Sequence, residues 1–143
     1  MPVIGLGYEG RTQQDLCDLL NENGVTVLCD VRLTPISRKP GLSKTALGHA
    51  VRSIGAEYRH LPALGNPKWN RAGFGGDLAA LTAARSTFAQ ILTADPDAAR
   101  GLAELRELAT DQVVALLCFE ADESRCHRAV LLDQLPSAAG LAH

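Results

Sequence analysis

Apolar positions along this chain follow two rhythms. Short runs rich in apolar and β-branched residues (Val3 to Tyr8, Val25 to Cys29, Val113 to Cys118) are separated by stretches in which apolar residues recur three and four positions apart. The runs have the length and make-up of strands covered on both faces, and the spaced stretches have the period of amphipathic helices. In the first helical stretch Thr12 stands as N-cap with Asp15 three residues on. Leu16, Leu19 and Leu20 make its stripe, and Gly24 offers the closing position. Ser43 opens another stripe, Ala46, Leu47, Ala50, Val51 and Ile54, which Gly55 ends. Glu57 to Leu61 reads as a shorter strand, and Leu78 to Leu92 and Ala98 to Leu108 as two helices parted near Asp95-Pro96. Asp122 is placed to cap a last helix that stops before Pro136. Asn66 to Asp77, rich in Gly, Asn and Pro, is expected to be a functional loop without regular structure.

Strand runs separated by helices predict a single α/β domain with a mainly parallel sheet of about four strands flanked by helices, a Rossmann-like arrangement. The domain is expected over residues 1–135, with 136–143 as a flexible tail. There is no internal repeat and no interdomain linker. Sheets of this kind collect ligands in the crevice at the carboxyl ends of their strands, so the polar residues that follow each run draw the functional reading.

Composition adds limits rather than an activity. The length of 143 residues suits one domain, and 46% hydrophobic with 21% charged residues argues against disorder. A net charge of −2 supplies no general attraction to DNA or anionic lipid, so anion binding has to come from local clustering. Arg outnumbers Lys, which occurs only at Lys39, Lys44 and Lys68; with the abundant Ala, this is the usage of a GC-rich genome. No segment approaches the roughly 18 apolar residues of a membrane helix, and no signal peptide is legible, so a cytoplasmic protein without a membrane partner is expected. The four cysteines do not read as a disulfide framework, and reduced thiols are expected, with Cys17 in the core.

Three strand ends carry dense polar chemistry. They are Gly7-Tyr8-Glu9-Gly10-Arg11, Asp30-Val31-Arg32 continuing through Pro35, Ser37, Arg38, Pro40-Gly41 and Ser43-Lys44, and Cys118 through Arg128. A parallel sheet brings all three to one rim. These segments also resemble a widespread prokaryotic family called domain of unknown function 488. The opening Gly-Tyr-Glu-Gly-Arg, the Asp-Val-Arg segment with its Ser-Lys pair, and Cys118 with Glu120 followed by Cys126-His127-Arg128 carry the resemblance, which extends to about Leu135. Leu42 stands where the family usually has an aromatic residue, a departure that touches packing more than chemistry. The resemblance implies a compact α/β fold and a location for function, and it brings no reaction with it.

The chemistry of the residues points to an anion. Cys126 and His127 are expected in the first turn of the last helix, where unpaired N–H groups and the helix dipole favour negative charge and lower a thiol pKa. Arg32, Arg38 and Arg128 are the candidate anion-binding arginines, with Tyr8, Glu9 and Arg11 beside them as substrate-binding residues. Asp30 and Glu120 are candidates for acid–base work or for orienting the arginines, and Cys126 and His127 for nucleophile or proton carrier. Against this stands a purely structural reading, in which Asp30–Arg and Glu120–Arg pairs tie loops together.

Sharper alternatives fit less well. A cysteine phosphatase or rhodanese-like loop between Cys118 and Arg125 would hold Glu120, Asp122 and Glu123 and no glycine, which opposes a nest of N–H donors around an oxyanion. A metal on Cys118, Cys126 and His127, with Cys29 or His60, lacks the usual ligand spacing. Neighbouring Cys and His also diverge on a helix, so no metal is expected and the cofactor is left open. A nucleotide or nucleic-acid site would use the arginines for phosphate and Tyr8 or Trp69 for stacking, although aromatics are 4% of the chain and no Gly-rich phosphate loop is present. His49 and His143 read as surface residues and His60 as a structural one. Two functions follow: a small enzyme acting on a phosphorylated or other anionic, possibly nucleotide-related, substrate, or a non-catalytic module that binds nucleotide or nucleic acid.

Overall fold

A computed structural model describes residues 3–135; residues 136–143, expected as a flexible tail and including His143, lie outside the described residues. Four strands, β1 (Val3–Gly7), β2 (Val27–Asp30), β3 (Glu57–His60) and β4 (Val114–Cys118), form one sheet in the order β1-β4-β2-β3. Every pairing is parallel. The described residues also form six α-helices: α1 (Gln13–Glu22), α2 (Lys44–Ser53), α3 (Lys68–Phe74), α4 (Leu78–Ala94), α5 (Pro96–Leu108) and α6 (Arg128–Asp133). The predicted single α/β domain with a parallel sheet is the one observed.

Side chains alternate across the central strands and split the core in two. Val27, Cys29 and Val31 with Val114, Leu116 and Cys118 face α4, α5 and α6, through Phe88, Leu102, Leu105 and Leu131. Leu28, Ala115 and Leu117 face α1 and α2, through Leu16, Leu20, Leu47 and Val51. Because β2 and β4 are covered on both sides, their sequences are apolar at nearly every position.

The helix ends follow their sequence signals in part. Thr12 and Asp15 make the reciprocal capping box of α1, and Gly24 follows α1 with φ +64°, a conformation that favours glycine. Ser43 is the N-cap residue of α2 but makes no capping hydrogen bond. Its hydroxyl instead accepts from Ser37 N and donates to Ser37 O, tying down the loop after β2. His49 is exposed, as expected.

Two local expectations are corrected. The Asn66 to Asp77 segment contains α3, because Phe74 packs with Leu81 and Ala84 of α4 and Asn70 donates to Ala84 O at 3.0 Å. Tertiary burial has overridden poor helix propensity there. Asp122 caps only the 3₁₀ turn Glu123–Arg125, and α6 starts later, at Arg128. Cys126 is therefore extended (φ −131°, ψ 145°) and His127 is the N-cap residue of α6, so neither lies in a helical first turn.

Candidate functional site

The ends of β1, β2 and β4 meet at one cavity of about 300 Å³. Tyr8 comes from just beyond β1, Arg32, Leu33, Thr34 and Ile36 from beyond β2, and Cys118, Phe119 and Glu120 from the end of β4 and just past it. Arg125, Cys126 and His127 close it ahead of α6, and Asn66, Arg71 and Phe74 come from α3 and the residue stretch before it.

The second strand end is a rigid unit. Arg32 donates from Nε and Nη2 to the carboxylate of fully buried Asp30 at 2.8 and 2.6 Å, and from Nη1 to Leu42 O at 2.7 Å. The Tyr58 hydroxyl also donates to Asp30. Burial first, and then its bonding to Asp30, pushes the Tyr58 hydroxyl above its ordinary pKa. The Arg32 guanidinium lies 5.2 Å from the centre of the Tyr8 ring, a cation–π contact, and His60 Nε2 is 2.8 Å from Arg32 O. His60, expected to be a structural residue, thus has one ring nitrogen engaged by the backbone beyond β2.

The third segment is held from two sides. Glu9 accepts from Ala121 N at 2.9 Å and its own N–H donates to Phe119 O, while Tyr8 N donates to Cys118 O. Gly7 permits this approach, since a Cβ there would overlap the Glu120 carbonyl oxygen. From below, fully buried Arg128 donates to Cys118 Sγ at 2.9 Å, to Glu123 at 3.2 Å and to Ala121 O at 3.5 Å. Arg125 donates to Gly76 O at 2.5 Å, which locks the end of α3 to the cavity.

Cys118, Cys126 and His127 form the cavity floor. The two cysteines are joined by a disulfide, which corrects the expectation of separate reduced thiols, while Cys17 and Cys29 are free and buried. The ligating atoms of Cys118, Cys126 and His127 lie within 4.8 Å of one another. Cys126 and His127 converge, against the divergence expected of neighbours on a helix, because Cys126 is extended. His127 Nε2 is 2.9 Å from Val31 O, an atom that can only accept, so Nε2 carries the proton and Nδ1 is left bare 3.7 Å from Cys126 Sγ. Burial pulls the His127 pKa down to about 4, against a smaller upward pull from Val31, and the nearby Arg128 lowers it further.

The candidate residues therefore sort by position. Tyr8, Arg32, Glu120, Cys126 and His127 line the cavity. Asp30 and Arg128 sit behind that wall and are engaged with Arg32 and Cys118. Glu9 pins the loop after β4, and Arg11 donates to Gly7 O at 2.6 Å, outside the lining. Arg38 is exposed and does not line the cavity, because the loop after β2 turns away toward α1; Lys39 Nζ there donates to Tyr8 O and Arg11 O. Trp69 is exposed on α3 and lies outside the lining. The residue that sequence reasoning passed over is Arg71, whose Nε donates to Asn66 O at 3.3 Å. The only signal for it was its place in the Asn66 to Asp77 stretch, expected to be a functional loop.

These features define a parallel α/β domain whose strand ends enclose a cavity with a cationic wall and a sulfur floor. The chain belongs to the family described as domain of unknown function DUF488, whose model matches residues 12–135. Comparison with curated proteins and with solved structures found no match. The Gly7 to Arg11 motif immediately precedes the matched residues. Among the described residues no helix is long and apolar enough to cross a membrane.

Proposed function

We propose that the chain is a small enzyme acting on a phosphorylated or similarly anionic small molecule bound in the strand-end cavity. The observation that carries this reading is the make-up of the wall: Arg32, Arg71 and Arg125 face it with Glu120 as the single carboxylate among its described lining residues. A cavity of about 300 Å³ suits a small molecule better than a nucleic-acid strand. Arg71, exposed and reaching from α3, is the principal anion ligand. Arg32 stands pre-oriented by Asp30, which spends its carboxylate on that task, and three of its five N–H donors are engaged. Glu120 is the general base, and His127, whose Nδ1 is left bare, assists from the floor, whereas Cys126, joined to Cys118, has no thiol to contribute in this form. Phe119, exposed at the rim and edge-on to Tyr8 at 5.3 Å, offers a ring face to an organic portion of the substrate. A nucleotide is accordingly the first class to test.

Calorimetry with inorganic phosphate and a panel of nucleoside monophosphates tests the reading. Arg71→Ala should weaken binding roughly tenfold to a hundredfold, the worth of a charged hydrogen bond, with an unchanged melting temperature. Glu120→Gln should retain binding and lose turnover of any substrate found. Failure of every anion to bind, or equal binding by Arg71→Ala, removes the proposal.

A further inference from the structure

We propose that, once a dithiol reductant has exchanged with the Cys118–Cys126 disulfide and left in its own disulfide form, the two freed thiols lose their protons and form with His127 a metal site for a zinc-class divalent ion, with its fourth position open to the cavity. The proposal does not depend on the cavity turning over a substrate.

Several independent features converge on it. All three residues line the cavity floor, and their ligating atoms lie within 4.8 Å of one another. Two sulfurs and one imidazole nitrogen are a ligand set that zinc accepts, and three protein ligands with an open fourth position is the arrangement of catalytic zinc. The His127 tautomer is already the one required: Nε2 donates to Val31 O at 2.9 Å, and the bare Nδ1 faces Cys126 Sγ. A backbone carbonyl holding the remote ring nitrogen is the usual support of a metal-bound histidine.

The sulfurs are supported as thiolates. Arg128 Nη1 donates to Cys118 Sγ at 2.9 Å, and Arg128 N donates to Cys126 Sγ at 3.5 Å. Two thiolates and one dication carry no net charge together, so the metal would not add to the positive potential of the surrounding arginines. Backbone spacing agrees as well. The Cα atoms of Cys118 and Cys126 stand 7.6 Å apart, beyond the roughly 4.4–6.8 Å usual for bonded cysteines. Two sulfurs on one tetrahedral zinc, with bonds of roughly 2.3 Å, are about 3.8 Å apart, and a wider backbone spacing accommodates them.

The test uses the full chain. Reduced, metal-stripped protein is titrated with zinc against a chromogenic chelator, and its cobalt-loaded form is recorded by visible absorption. One equivalent of zinc per chain and a thiolate-to-cobalt charge-transfer band are expected. Cys118→Ser and Cys126→Ser should each weaken zinc binding by roughly a hundredfold or more, while Cys17→Ser keeps full stoichiometry. The disulfide-linked chain should take up no zinc. Should the serine variants fail to fold, the cobalt spectrum of the unmodified chain still decides. Absence of zinc uptake by the reduced chain, a cobalt spectrum without sulfur ligation, or undiminished uptake by the disulfide-linked chain would each overturn the proposal.

Discussion

Asp30 and Arg32, two residues apart at the end of β2, grip each other through two charged hydrogen bonds of 2.8 and 2.6 Å, and Arg32 N donates to the same carboxylate at 3.1 Å. The pair is buried, and its remaining contacts, Leu42 O and the Tyr58 hydroxyl, are satisfied. Such a pair gives limited net stability when complete and costs heavily when half of it is removed. Asp30→Asn leaves the guanidinium buried without its counter-charge. The expected loss is about 3–5 kcal/mol in a urea or thermal unfolding experiment. Arg71→Ala, on the exposed side of the cavity, should change stability by less than about 0.5 kcal/mol. A melting temperature of Asp30→Asn equal to that of the parent chain would show that this pair does not organise the strand end.

Tyr58 makes the same network sensitive to alkali. Burial, then the hydrogen bond to Asp30 and its charge, raises the Tyr58 pKa above its ordinary value of 10.0. The folded chain therefore holds the phenolic proton where the unfolded chain has begun to release it. Stability from this group is fully present below pH 10 and is lost as pH rises above it toward the folded value. Unfolding measured at neutral pH and again above pH 10 should show a decline that is shallower in Tyr58→Phe, which has no proton to lose. Parallel declines in the two proteins would rule this out.

Much of this architecture was legible before the structure, because its signals are local. The apolar run Val114–Cys118, the Thr12–Asp15 box and the stripe of α2 each reflect burial or capping within a few residues. That the three strand ends share one rim followed from parallel order alone. The remainder depends on contacts that no window of sequence displays. Lys68–Phe74 becomes helical through burial of Phe74 and Asn70 against α4, and this brings Arg71 to the cavity. The convergence of Cys126 and His127 depends on an extended backbone at Cys126, which the expected helix would not have had. Arg38 looked equivalent to Arg32 in the sequence, yet the loop after β2 leaves it exposed.

Gly7 offers a steric test of how closely β1 and the loop after β4 are matched. A methyl group at this position would overlap the backbone oxygen of Glu120, which cannot swing aside as a side chain can. Gly7→Ala should therefore destabilise the fold by about 1–3 kcal/mol or more, as overpacking does. It should also displace Glu120 and Cys118 together, because Tyr8 N and Glu9 N bond to Cys118 O and Phe119 O. Unfolding midpoints and amide shifts of residues 118–121 would report both effects. An unperturbed loop in a fully stable Gly7→Ala chain would contradict this packing.

The free cysteine on β2 should be chemically silent in contrast to the cavity pair. Cys29 is completely buried against α4 and α5, and that burial pushes its thiol up to about 12, leaving almost no thiolate at neutral pH. Cys118 and Cys126 instead line the cavity, where Arg128 Nη1 donates to Cys118 Sγ and Arg128 N donates to Cys126 Sγ. Iodoacetamide added to the reduced, metal-free native chain should therefore label Cys118 and Cys126 well before Cys29, with peptide mass spectrometry reading the order. Denaturant should erase the difference by exposing all thiols equally. Labelling of Cys29 as early as Cys126 in the folded chain would mean that the sheet opens at β2 far more readily than its two-sided covering permits.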